Sequence, residues 1–270
     1  MWSKLKSFFQ RNRSIFIITP TIALTVTVAQ GIGLFNLSEW QTRDWFFRLR
    51  SQVESKDLAS EIVVVTIDEK DIQKIGEWPI PDAELADLIE KIRAQKPRSI
   101  GLDLYRDLPE GKGHEQLVKV FQTTPNLFGV EKMTGNKVKP PPELKKQGQV
   151  SLADLVLDGD RHVRRALLSA KDKDENNIDK GSLATVVALK YLEAEGISLE
   201  PFDEKGEKFK LGKQIHSPLK NLEAGYSDTA GYQILVNWYG SEEAFTTVSM
   251  RDVLAGKIPK EMMRDRMVFI

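Results

Sequence analysis

Four side chains in this sequence stand where they could do chemistry. Asp68 follows the apolar run Ile62–Ile67 (IVVVTI), and Asp103 lies near the end of Ser99–Leu104 (SIGLDL). If the two runs form neighbouring parallel strands, both carboxylates emerge at one sheet edge, where open α/β folds take their ligands. Such a pair can share a proton, hold a cation or bind a basic group. Arg164 and Arg165 could pair with these acids, receive an anionic ligand, or be plain exposed arginines on a hairpin. Asp68 has a competing structural role as the N-cap of a helix, satisfying its first amides. Asp103 is followed by Leu104 and Tyr105 and has no helix to cap, so for it a ligand role and a structural role both stay open.

Other chemistry was sought without success. The sequence holds no GxxxxGK[ST] phosphate cradle, no GxGxxG after a strand and no GxSxG nucleophile turn. Cysteine is absent, which removes disulfides, thiol catalysis and cysteine-based zinc sites. His114, His162 and His216 are scattered without ligand spacing. Asp172, Asp174 and Asn176 alternate like the start of a calcium loop, but Asn177 and Leu183 occupy its glycine and glutamate positions. Paired acids with neither nucleophile nor metal ligands are thin support for a hydrolase. The expectation is a chain that is not an enzyme and carries no cofactor or metal.

The strands that present these residues fall in a recognisable order. IVVVTI reads as a strand buried on both faces. Asp68 opens a short helix with Asp71 as its capping-box partner, and Gly76 stops it. Trp78–Pro81 is an extended link, Asp82 caps a second helix, and Leu85, Leu88, Ile89 and Ile92 form its apolar stripe. SIGLDL follows as a second strand, so the unit is βαβ with parallel strands. Asn126–Val130 is a third strand, and VKPPPE is a loop without its own core. Asp158-Gly159-Asp160 marks a turn before an extended run from His162 to Leu168. Ser182 caps a helix with Leu183, Val186, Val187 and Tyr191 on one face; Lys208–Leu211 and Gln233–Trp238 are strands. Ser249 caps a short helix that Gly256 closes, and Met267–Ile270 begins a strand where the sequence stops, as if the domain were incomplete there. The fold class is α/β to α+β, with helices packed on a mixed sheet.

Ahead of this body, residues 14–35 (SIFIITPTIALTVTVAQGIGLF) contain no charge. As a helix they rise about 33 Å, enough to cross the ~30 Å hydrocarbon layer. Pro20 falls near the first turn, and Thr19, Thr21, Thr25 and Thr27 can bond back to helix carbonyls. Lys4, Lys6, Arg11 and Arg13 precede the span without an acid, whereas Glu39, Arg43, Asp44, Arg48 and Arg50 nearly cancel after it. That bias puts residues 1–13 in the cytoplasm and 36–270 outside. A cleaved signal peptide would need a shorter apolar core and a better exit than Thr27-Val28-Ala29. Trp2 and Trp40 suit the membrane interface, and Leu37, Trp40, Asp44 and Phe47 continue the helix as a stalk. Over the whole chain 39 basic and 39 acidic residues balance, so the concentrated positive surface of a nucleic-acid binder is missing.

Taken together, IDEKDIQKIGEWPIP, SIGLDL, DGDRHVRR, VNWYG and FTTVSMRDVLAGKIP resemble, in this order, the CHASE type 2 family, with WQTRDWFFRLR similar to its leading helix. The resemblance runs from Leu37 to Ile270. It implies a sensory domain outside the inner membrane of bacteria, notably cyanobacteria. It further implies three more membrane helices and a cytoplasmic cyclase, histidine kinase or Ser/Thr kinase output. The family's ligand is unidentified; the candidate contacts for a small molecule are Asp68, Asp103, Arg164 and Arg165 on the argument above, and a homodimer through membrane and stalk helices is expected. An envelope binding or assembly protein without output is the competing reading. Two departures stand out: Ile80-Pro81-Asp82 replaces the family's Trp-Pro-Arg, and Arg161 replaces a glycine before Arg164 and Arg165.

Overall fold

A computed structural model describes residues 13–51, 60–172, 175, 177–204, 206–220, 230–238 and 244–270. Trp2, Lys4, Lys6, Arg11, Asp174, Asn176 and the polar break after Ser51 lie outside the described residues. The chain divides into two compact units, residues 1–53 with 221–227, and 54–220 with 228–270.

In the first unit, α1 (Arg13–Gly31) and α2 (Asn36–Ser51) are separate helices rather than the single continuous rod expected. The break follows from Gly33, which takes φ 76°. Leu34 N donates to Ala29 O and Gly33 N to Gln30 O, the paired bonds of a glycine-terminated helix end. A side chain at Gly33 would also meet Asn36 Nδ2 at 2.7 Å. By length and composition α1 can cross a membrane. Its 19 residues rise about 28 Å, shorter than the expected span of residues 14–35. Thr21, Thr25 and Thr27 donate to the carbonyls of Ile17, Thr21 and Ala23, as their positions suggested. Pro20 lies in the helix interior, not its first turn.

The second unit begins with β1 (Ile62–Thr66), α3 (Glu69–Ile75), α4 (Asp82–Ala94) and β2 (Ser99–Gly101). Next come α5 (His114–Gln122), β3 (Leu127–Glu131), α6 (Pro142–Lys146) and β4 (Val150–Leu152). They are followed by β5 (Arg165–Asp172), β6 (Ile178–Gly181), α7 (Leu183–Glu193), β7 (Leu199–Pro201), β8 (Phe209–Leu211) and β9 (Gln214–His216). β10 (Tyr232–Leu235), β11 (Thr246–Ser249), α8 (Met250–Leu254) and β12 (Met267–Phe269) complete the unit.

The expected mixed sheet resolves into a wholly parallel one and two small antiparallel ones. The parallel sheet runs β11-β1-β12-β2-β3-β4. One antiparallel sheet is β10-β5-β6 and the other β7-β8-β9. On one face of the parallel sheet, the α4 stripe Leu85, Leu88, Ile89 and Ile92 is fully buried with Val63, Ile100, Leu127 and Val268. Each such side chain contributes about 1.5–3 kcal/mol relative to exposure. On the other face, Val187 and Leu183 of α7 pack with Val130, Phe128 and Phe269. Contact there is close enough that a β-carbon at Gly101 would fall 2.9 Å from Phe269 and 3.0 Å from Val187. The segment VKPPPE leads into α6, which starts at Pro142 and places Leu144 in the core. Pro81, rather than Asp82, is the N-cap of α4.

Candidate functional site

The two carboxylates do not meet. β12 lies between β1 and β2, so the strands carrying Asp68 and Asp103 are about 10 Å apart. Asp68 is the N-cap of α3 and shares a reciprocal capping box with Asp71. Both acids also clasp α8: Arg251 Nη1 donates to Asp68 Oδ1 at 2.6 Å, and Arg251 N to Asp71 Oδ1 at 3.0 Å. The Arg251 guanidinium, above all, holds the Asp68 pKa down at about 2. Asp103 N donates to Ile270 O at 2.9 Å, which fixes the backbone beside β12. Its side chain reaches solvent, yet the protein crowding the carboxyl raises its pKa by desolvation.

Arg164 and Arg165 are not the exposed hairpin pair; both are buried. Between them sits Asp158, whose side chain has no exposure. Its Oδ2 accepts from Arg164 Nη1 and its Oδ1 from Arg165 Nε, each at 3.0 Å. Asp160 takes Arg164 Nη1 and Nη2 at 2.8 and 2.7 Å, and Gln233 Oε1 of β10 takes Arg165 Nη1 at 2.8 Å. The hydrogen bonds from Arg164 hold the Asp160 pKa well below the carboxylate range. Arg161 completes the turn at φ 65°, a left-handed conformation that explains why glycine suits this place.

At the other departure, Asp82 is buried at the start of α4. It accepts from His114 Nδ1 at 2.8 Å, with Arg106 Nε 3.6 Å away. Here an acid at the α4 terminus meets an arginine from the loop after β2.

One further concavity left no trace in the sequence reading. A cleft of about 1450 Å³ opens between one face of β5 and the segments 132–138 and 154–157. Arg165, Leu167, Ser169 and Lys171, alternate residues of β5, line one wall together with Tyr232. The facing hairpin closes at the Lys132–Val138 bridge. Asp154 latches it, accepting from Met133 N and Thr134 N at 2.9 Å and from the Thr134 hydroxyl. At the cleft's end Lys180 holds Glu131, Asp172 and Glu175 at 2.6, 2.7 and 3.0 Å. Burial opposes charge on Lys180, but hydrogen bonds to Asp172, Glu131 and Glu175 prevail and raise its pKa. Lys145 pairs with Glu175 from α6. Asp172, Glu175 and Lys180 are near neighbours in sequence, but Glu131, Lys145 and Asp154 come from elsewhere in the chain, and no spacing rule links them. Among the described residues no group of three or more His, Asp or Glu could hold a metal ion.

The chain thus comprises an apolar helix of spanning length and an α/β/α domain with an open cleft on it. The family model for the CHASE2 domain matches residues 21–270, from inside α1 to the end of β12. The chain therefore belongs to the CHASE2 family, whose members are extracellular sensory domains rather than catalytic ones. No curated protein and no solved structure matches it.

Proposed function

We propose that this chain is the input module of a transmembrane receptor, with α1 crossing the inner membrane and the α/β unit on its outer side. The observation that carries the reading is the family match, which starts within the apolar helix and runs through the whole sheet domain. The orientation rests on Lys4, Lys6, Arg11 and Arg13 before the span, which favour a cytoplasmic N-terminus. A small-molecule ligand on the outer domain biases the packing of membrane and stalk helices in a homodimer. That change drives a cytoplasmic output of the cyclase or kinase kind, as the family resemblance suggests for a cyanobacterial receptor.

Topology is the decisive test. Alkaline phosphatase fused after Gln52 should be active, because it needs an oxidising compartment. Bright cytoplasmic fluorescence from a reporter at the same position, with inactive phosphatase, would overturn the reading.

A further inference from the structure

The cleft beside β5 has features that select a ligand class. Its volume of about 1450 Å³ exceeds the 300–1,000 Å³ range of most small-molecule pockets, so an extended ligand suits it better than a compact one. Most of its acids are already engaged: Glu131, Asp172 and Glu175 by Lys180, and Asp154 by the amides of the facing hairpin. Among the described lining residues, Lys132, Lys139 and Lys171 have no ion-pair partner and outnumber the unengaged Asp179 and Glu207. Lys171 and Asp179 are cross-strand partners and offset one another. With Glu207 set against one of the remaining lysines, one positive charge is left in excess, shared by Lys132 and Lys139 on the two arms of one hairpin. Leu155 and Leu157 line the same cleft and are 74% and 56% exposed, apolar surface that a ligand would cover. Tyr232 is the one aromatic ring among the described lining residues, so there is no paired platform for stacking a base.

We propose that this cleft binds a short acidic peptide in extended form, its carboxylates on Lys132 and Lys139 and its aliphatic side chains on Leu155 and Leu157. This deepens the sensory reading by naming a ligand class, and rests on it only for the consequence of binding.

The test uses the full chain in lipid nanodiscs and two hexapeptide pools, one built of Glu and Leu, the other of Lys and Leu. Peptides retained after gel filtration are quantified by mass spectrometry. The acidic pool should be retained about tenfold more than the basic one. Joint substitution Lys132→Glu and Lys139→Glu should abolish that preference while the melting temperature stays unchanged. Leu155→Ser with Leu157→Ser should lower retention of the acidic pool. Retention of neither pool, equal retention of both, or an acidic preference that survives the charge reversal would each overturn the proposal. Failure of the topology test alongside acidic retention would remove the sensory reading and leave the peptide site standing.

Discussion

Substituting Asp158 by asparagine isolates the charge that holds two guanidinium groups inside the domain. The amide keeps the carboxylate's shape and opens no cavity, so packing loss is not the source of any effect. What changes is that Arg164 and Arg165, both buried, lose the shared anion that accepts from each at 3.0 Å. Removing one partner of a buried pair costs about 3–5 kcal/mol. Arg164 retains Asp160 and Arg165 retains Gln233, which puts the expected loss at the low end, about 3 kcal/mol. For a unit of roughly 200 residues, each kcal/mol lowers the melting temperature by about 2–4 °C. A fall of about 6–12 °C should follow, read by near-ultraviolet circular dichroism in detergent. Asp160→Asn, at a side chain 22% exposed and bound to Arg164 alone of the pair, should cost clearly less. A melting temperature for Asp158→Asn within about 2 °C of wild type would refute the reasoning. So would a larger loss from Asp160→Asn.

Arg161→Gly should stabilise the domain by about 1 kcal/mol, since φ 65° strains a residue with a β-carbon; urea denaturation measures the gain. Stability should be level above pH 5 and fall as the solution is acidified. Asp68, with its pKa held at about 2, and Asp160, held lower still, are depressed below their unfolded values near 3.9. Their contribution is therefore fully present above about pH 5 and lost progressively as the pH falls through about 2 and below. A pH series of thermal melts checks this, and rising stability on acidification would contradict it.

Where local rules decide structure, the sequence was readable. The strands β1 and β3, the α4 stripe and the caps at Asp68, Ser182 and Ser249 all follow from patterns within one turn or one strand. The order of strands was not, because parallel neighbours are joined by no short turn and any buried run can insert between two others. Met267–Ile270 reads as a strand from its own pattern, but nothing local to it shows that the strand inserts between β1 and β2. Arg164 and Arg165 misled for a related reason. Charged residues are normally exposed unless paired. The pairing signal, two aspartates and three arginines within DGDRHVRR, lay in the motif itself.

Three ion-pair knots join elements of the domain. Arg251 ties α8 to the α3 terminus, Asp158 ties the 158–162 turn to β5, and Lys180 ties β6 to β3. Buried pairs add little net stability against well-packed apolar residues, but losing one member is costly. Their effect is therefore to specify which element docks on which. The Asp158 and Lys180 knots fix opposite ends of β5, the strand that forms one wall of the cleft, while Asp154 fixes the other wall. The carboxylates at the strand ends do not stand side by side, since β12 separates their strands and Asp68 is held by Arg251.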